Sequence, residues 1–525
     1  MTAESDNSLL RSGLVVSVMT LASRVAGLVR DLVVAVTFGA GPLTDAFFVA
    51  FRIPNLFRRL FGEGAVSHAF VPVLAETDTD PDTTASRDLV AHVMGTLGAV
   101  LLVVSLIGVV AAPVFVWVFA PGFVGDSGRY DPAVAMLRLC FPYVFFISLV
   151  AAAGGVMQSR GRFAVPAATP ILLNLCMISA AIWIAPMLDE PIYALAIGVL
   201  LAGVVQLVFQ LPTLSRLSLL PRPRWGGSHA GTRKVMQLLL PFVLSSGVYQ
   251  VNALVSSVVA SLLVASSVSW LYYADRLLEF PHALVGVALG TVILPRLARL
   301  HLREQGAAFS GTVHWAMHLG WLVGLPAALG LAMLADPLLA TLFQYGAFDA
   351  EDRQMAARAL RILALALPAL IVIKVLTPAF SSRQDTRTPV RIAVGCMVLN
   401  MVCCIVFGLG LKHLGYDAAH VGLSAATAIS TVLQAVLLAV CLRRVVTWQW
   451  SADGVRRAAR LGAALVVMAL VLFALTPETP WWSEASVWQR IGQLTVIIAG
   501  AFAAYVSVLA LLGMRPADIR SAGGD

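Results

Sequence analysis

With 525 residues, 59% of them hydrophobic and 12% charged, and a mean hydropathy of +0.86, the chain departs strongly from a soluble domain, which carries about 25% charged residues. Apolar runs of about 20 residues, the length that crosses a bilayer as helix, recur throughout, and the short alternating segments of a membrane β-barrel do not. The net charge of +8 would suit nucleic acid, but loops account for it better, so no nucleic-acid partner is expected. The fold class these features predict is an all-α integral membrane protein.

The start, "MTAESDNSLL", has neither the basic opening nor the small-residue cleavage site of a secretory signal, so the first apolar run reads as a retained helix. Spans are expected at 9–38, 42–75, 88–120, 131–157, 163–187, 191–215 and 234–265. They continue at 268–298, 308–334, 353–381, 388–411, 416–442, 457–476 and 487–513, giving about 14 transmembrane helices. Loops after even-numbered spans are basic: Arg160 and Arg162, then Arg216, Arg222, Arg224, Arg233 and Lys234, then Arg296, Arg299 and Arg303. Arg383 and Arg387 follow, then Arg443, Arg444 and Arg456. Loops after odd-numbered spans hold mainly acids, such as Asp189, Glu190, Asp349 and Glu478, with Arg129 and Lys412 as exceptions. The positive-inside rule then puts both termini in the cytoplasm. The loop "ETDTDPDTTASRD" after span two is mostly acidic and fits this rule least well.

An internal repeat runs through the chain. "QSRGRFAVP" (158–166) and "SSRQDTRTP" (381–389) each follow an apolar segment, and Arg160 and Pro166 match Arg383 and Pro389 at an offset of 223. Pro142 matches Pro368 at 226, and Arg52 matches Arg276 at 224. Two six-helix lobes are expected in parallel repeat, because an even number of spans restores the same orientation. The expected domains are 1–220 (spans 1–6), a cytoplasmic linker at 221–233, 234–445 (spans 7–12) and 446–525, which holds two C-terminal helices and the tail.

The stretch "DAFFVAFRIPNLFRRLFGEG" (45–64) is apolar yet carries Asp45, Arg52, Arg58, Arg59 and Glu63. Steps of 7, 7 and 4 put Asp45, Arg52, Arg59 and Glu63 near one helix face. Arg24 and Asp31 also share a face, with Arg30 pointing elsewhere. Span eight carries Asp275, Arg276 and Glu279 at i,i+3 and i,i+4 spacing, and span ten carries Lys374. Three readings compete for these charges: snorkelling to the interface for Arg58, Arg59 and Glu63, ion pairs that lock helices, and a water-filled cationic cavity between the lobes. Such a cavity would favour an anion with phosphate-like oxygens, to which guanidinium bonds in bidentate fashion.

Other signals are slight. No G-x-x-x-x-G-K-[ST] motif occurs, and no Ser-His-Asp or Cys-His ordering stands out, so enzymatic chemistry is not expected. His314 and His318 lie four apart without a third ligand nearby and read as interfacial, leaving no metal site expected. The six cysteines, Cys140, Cys176, Cys396, Cys403, Cys404 and Cys441, read as isolated small hydrophobes. Gly154, Gly155, Gly286 and Gly290 read as close-packing positions between helices.

The block "SRVAGLVRDLVVAVTFGAGPLTDAFFVAFRIPNLFRRLFGEGAVSHAFVPVLAE" (23–76) resembles the signature of the MurJ/MviN lipid II flippases. "SVSWLYYADRLLEFPHALVGVALGTVILPRLAR" (267–299), "FQYGAFDA" (343–350) and "KVLTPAFSSRQDTRTPVRIA" (374–393) resemble further segments of that family. The resemblance implies membership of the multidrug/oligosaccharidyl-lipid/polysaccharide exporter superfamily, with two six-helix lobes and two extra helices. The activity it implies is a transporter's, not an enzyme's. It would move lipid II, an undecaprenyl diphosphate-linked disaccharide-pentapeptide of peptidoglycan synthesis, from the inner to the outer leaflet of the cytoplasmic membrane. It marks Arg24, Asp45 and Arg276 as essential cavity positions, and Arg30, Asp31, Arg58, Glu63, Asp275, Glu279 and Lys374 match further charged positions. Expected partners are lipid II, membrane lipids and proteins of cell-wall synthesis or division. No cofactor is expected; some members bind sodium in the second lobe, and coupling here to sodium or to membrane potential stays open. The alternatives are a flippase for another undecaprenyl-diphosphate sugar, a drug/cation antiporter and a non-transporting cell-wall scaffold.

Overall fold

The structure, a computed structural model, describes residues 3–60, 70, 72–74, 76, 83–220, 222–227, 229–443, 446 and 452–514. The described residues form helices and their connections, as the bilayer requires. A backbone without access to water must satisfy its own hydrogen bonds, and a helix does so within one segment. Among the described residues, ten stretches are long and apolar enough to cross a membrane: Ala85–Val110, Ser127–Ser159, Ala164–Met187, Tyr193–Arg216, Gly306–Met333, Ala350–Ser381, Arg387–His413, Val421–Leu442, Gly454–Leu475 and Val487–Leu511. The protein is therefore a multi-pass membrane protein. The other four expected spans coincide with α1 (Ala3–Phe38), α2 (Pro42–Leu60), α9 (Ala230–Ser261) and α10 (Ser267–Leu302), whose side chains are only partly described.

Two compact units divide the chain, Met1–Val268 and Ser269–Asp525. In the first, α1 packs on α7 (Ala164–Ser179), and α2 packs on α5 (Ser127–Cys140). The long α3 (Thr83–Val110) meets α6 (Tyr143–Ser159), and α8 (Tyr193–Arg216) lies against both α6 and α7. Gly154 sits where a Cβ would touch Pro166 of α7 at 3.6 Å, in line with its expected close packing. The short α4 is Ala112–Phe119. Helix α9 packs against α2, α3 and α4, and Gly122 just past α4 donates its N–H to Ser261 Oγ at 3.2 Å.

The second unit repeats the local plan of the first. It contains α11 (Gly306–Met333), α12 (Ala335–Leu342), α13 (Ala350–Leu363), α14 (Leu367–Ser381), α15 (Arg387–His413) and α16 (Val421–Leu442). The starts of α12, α13 and α15 fall 223 residues after those of α4, α5 and α7. Pairing repeats too: α3–α6, α6–α8 and α7–α8 correspond to α11–α14, α14–α16 and α15–α16. Span four breaks at Phe141–Pro142, and span ten breaks at residues 364–366 ahead of Pro368, because proline lacks the N–H that continues a helix. Asp126 and Asp349, also 223 apart, cap α5 and α13 by accepting backbone N–H groups at 3.1 and 2.9 Å. In the two matching loops Gly161 and Gln384 both take left-handed backbone, with φ of 70° and 62°.

The C-terminal helices, α17 (Ala452–Leu475), the short α18 (Thr479–Glu484) and α19 (Val487–Leu511), are built into the second unit. Buried Arg490 anchors α18 and α19. Its Nε donates to the Ala485 carbonyl at 2.9 Å, its Nη1 to those of Ala340 (2.9 Å) and Gln344 (3.2 Å), and its Nη2 to that of Ser483 (3.1 Å). The guanidinium lies over the Tyr345 ring, 5.3 Å from its centre. Beside it, buried Arg353 of α13 donates to Gln344 Oε1 and Ser483 Oγ, both at 2.9 Å, and its Nε lies 3.2 Å from Asp336 Oδ1. Two arginines therefore join α12, α13, α18 and α19. Replacing Arg490 with Met is expected to lower unfolding stability in detergent by about 3 kcal/mol or more, as several charge-assisted hydrogen bonds are lost together. Arg456→Ala, at the exposed start of α17, is expected to stay within about 0.5 kcal/mol. Thermal unfolding of the purified variants checks both.

Candidate functional site

The charges in the first unit solve the problem of a low-dielectric surrounding in different ways. On α1, Arg30 and Asp31 are both buried, at 5% and 1% exposure. Neighbours in sequence do not face each other on a helix, yet the long arginine bends round, so that Nε and Nη2 both donate to Asp31 Oδ1 at 3.0 and 2.7 Å. Its Nη1 donates to Asn174 Oδ1 of α7 at 3.0 Å, and Asn174 Nδ2 returns to the Ser23 carbonyl at 3.2 Å. Arg30, Asp31 and Asn174 thus lock α1 to α7.

Arg24 behaves otherwise. It shares a helix face with Asp31 by spacing, but the two sit in different surroundings about 10 Å apart along the axis. Asp31 is covered, whereas Arg24 is exposed and makes no hydrogen bond or ion pair among the described residues. It stands about 21 Å from the Phe38 end of α1, well inside the helix.

Helix α2 follows the predicted face from deep to shallow. Asp45 is 1% exposed in the first turn, where the helix N-terminus favours a negative charge. Arg52 and Arg59 are half-buried, and half-buried Arg58 donates from Nε to Asn55 Oδ1 at 2.7 Å. Pro54 lies within the helix, which continues through it. Glu63 and most of the predicted continuation to residue 75 lie outside the described residues.

In the second unit, Arg276 of α10 pairs with Glu279 one turn on, Nη1 to Oε2 at 2.7 Å, and its guanidinium lies 5.6 Å from the centre of the Tyr272 ring. Asp275 and Glu279 are exposed on the same helix. Lys374 stands near the middle of α14, exposed, with no hydrogen bond or ion pair among the described residues. The structure therefore joins Arg30 to Asp31 and Arg276 to Glu279, and leaves Arg24 and Lys374 outside any such pair. Asn174 and Asn55 were missed from sequence. Asn55 could have been found from its i,i+3 spacing to Arg58, but Asn174 is 144 residues from Arg30 and no spacing marks it. The six cysteines are thiols, buried at Cys140, Cys396 and Cys404 and exposed at Cys441.

The family pattern described as "Lipid II flippase MurJ" matches residues 34–490. The chain is 42% identical over 521 residues to the "Probable lipid II flippase MurJ" of Vibrio cholerae serotype O1, covering 98% of each. It is 38% identical over 518 residues to the "Lipid II flippase MurJ" of Burkholderia cenocepacia, covering 98% of this chain and 99% of that one. The chain belongs to the MurJ family. Its fold resembles that of a lipid II flippase MurJ solved in an inward closed conformation, with TM-score 0.78, 22% identity and coverage of 95% and 98% of the two chains. An inward-facing multidrug resistance MATE transporter of the MOP superfamily shares the fold more distantly, with TM-score 0.66, 14% identity and coverage of 82% and 98%. Within this MurJ family member, Asp31→Ala is expected to cost about 3–5 kcal/mol of stability, because it leaves Arg30 buried without its carboxylate. Arg24→Ala is expected to change stability by no more than about 0.5 kcal/mol. Paired thermal unfolding curves of the two purified variants measure the contrast.

Proposed function

We propose that this protein flips lipid II from the inner to the outer leaflet of the cytoplasmic membrane, by alternating access through a cationic central cavity. Family membership over nearly the whole chain carries the substrate. Arg24 and Lys374, membrane-helix cations with no ion pair among the described residues, support the route. Leaving such a cation in hydrocarbon costs about 2.5–3.5 kcal/mol on insertion scales and more by simulation, so water or an anion is its reasonable neighbour. A diphosphate supplies the oxygens that guanidinium groups bind best. In this reading Arg24, Arg52, Arg276 and Lys374 receive the headgroup, while Asp45, Asp275 and Glu279 hold arginines in position. Arg30, Asp31, Arg58 and Glu63 support the helices that carry them.

The expected lobes, 1–220 and 234–445, are the moving parts of this reading, joined by 221–233 and followed by 446–525. Both termini face the cytoplasm. No bound cofactor takes part, and the membrane potential favours the outward passage of an anion by about 2.3 kcal/mol per charge per 100 mV. The partners are lipid II and membrane lipids, together with the cell-wall synthesis or division proteins that use the flipped product.

The test replaces an essential lipid II flippase with this protein in a depletable bacterial strain, then measures how much lipid II an externally added cleaving enzyme reaches. Wild type is expected to restore access, and Arg24→Ala and Arg276→Ala to abolish it at normal protein levels. Wild type that inserts normally but leaves lipid II inside would overturn the substrate assignment. Arginine variants that still expose lipid II would overturn the cationic route.

A further inference from the structure

Away from the charged membrane helices, the chain that joins α8 to α9 lies on α3. Arg224 donates its backbone N–H to the Ala91 carbonyl at 3.1 Å, and Gly226 donates to Thr96 Oγ1 at 2.9 Å. The approach is close enough that a Cβ on Gly95 of α3 would sit 2.3 Å from the Arg224 carbonyl oxygen. This seating brings His229, which caps α9, against two side chains one turn apart on α3, Asp88 and His92.

The three side chains each offer a donor atom, and these atoms lie within 4.8 Å of one another. Two histidine nitrogens converge on a single carboxylate oxygen: Asp88 Oδ2 is 3.3 Å from His92 Nδ1 and 3.6 Å from His229 Nε2. A tetrahedral ion with bonds of about 2.0–2.2 Å holds neighbouring donors roughly 3.3–3.5 Å apart; both spacings to Asp88 Oδ2 come within a few tenths of an ångström of this, and the three donors, which span up to 4.8 Å, close on the ion by a small turn of the imidazoles. The two imidazoles stack at 4.8 Å with planes 10° apart. Arg224 Nη1 lies 3.6 Å from Asp88 Oδ1, the other carboxylate oxygen, and its mostly exposed side chain (64%) leaves its charge screened by water.

We infer that Asp88, His92 and His229 form a binding site for a zinc-class divalent transition ion, which fastens the segment between α8 and α9 to α3. Two imidazoles and one carboxylate are a donor set that suits zinc, with water in the fourth position. Asp88 and His229 keep side-chain exposures of 44% and 32%, which gives that water access. On binding, His92 Nδ1 exchanges its 2.9 Å contact with the Asp88 carbonyl for the ion. His229 binds through Nε2, so its proton moves to Nδ1; Nδ1 then gives up the Thr232 backbone N–H it accepts at 3.3 Å and donates instead to Thr232 Oγ1, 3.4 Å away, which holds the ring.

The test uses full-length protein in detergent, freed of any histidine tag and stripped with chelator. Cobalt(II) serves as the spectroscopic probe and zinc(II) as its competitor. Wild type is expected to bind a single equivalent of cobalt with the intense visible band of a tetrahedral site, and zinc is expected to displace it. His92→Ala and His229→Ala should each weaken binding by at least about tenfold, the lower end of the loss seen on removing even an outer-shell partner. His229→Cys should retain binding, because thiolate also ligates these ions, and this separates ligation from folding. His413→Ala, on an exposed residue at the end of α15, should bind as wild type does. Absence of cobalt binding by wild type, or unchanged affinity in both histidine-to-alanine variants, would overturn the site.

Discussion

A charge held among membrane helices must find a counter-charge, a set of hydrogen-bond partners or water, and much of this molecule's polar structure follows from how each arginine meets that demand. Arg30 takes a carboxylate and an amide and becomes a bolt between α1 and α7. Arg490 takes four backbone carbonyls and fastens the last membrane helix, α19, and the short α18 to α12. Arg276 takes Glu279 and the face of Tyr272 on its own helix. Arg24 and Lys374 take no such partner among the described residues. Helix locking is thus shown for Arg30 and Arg490, while Arg24 and Lys374 make no ion pair or hydrogen bond among the described residues.

The same plan of helices and breaks occurs twice, 223 residues apart, and the breaks fall at prolines that interrupt the hydrogen-bond ladder within a span. A span broken in its middle frees backbone groups at membrane depth, which is tolerated only where protein or water covers them.

Much of the fold was legible in the sequence, because apolar run length is imposed by the bilayer itself. The repeat was legible from Arg160, Pro166, Arg383 and Pro389, and it reappears as matching helix starts, caps and left-handed loop residues. The breaks at Phe141–Pro142 and 364–366 were hidden inside single spans, since an apolar run reads alike whether or not the helix through it is continuous. At the site, sequence spacing grouped Arg24 with Asp31 and set Arg30 aside, whereas the structure pairs Arg30 with Asp31. Helical periodicity assigns a face but says nothing of what covers it. Arginine is also long enough to reach a neighbour that periodicity places elsewhere. Asn174, Arg353 and Arg490 escaped for a related reason: their partners are far away in sequence.

The most direct measurement is the binding of lipid II to purified wild type and Arg24→Ala by native mass spectrometry, with the folded state of each sample verified by its unfolding curve. The account predicts that Arg24→Ala stays as stable as wild type and loses the lipid-bound species. A folded Arg24→Ala protein that holds lipid II as well as wild type does would contradict it.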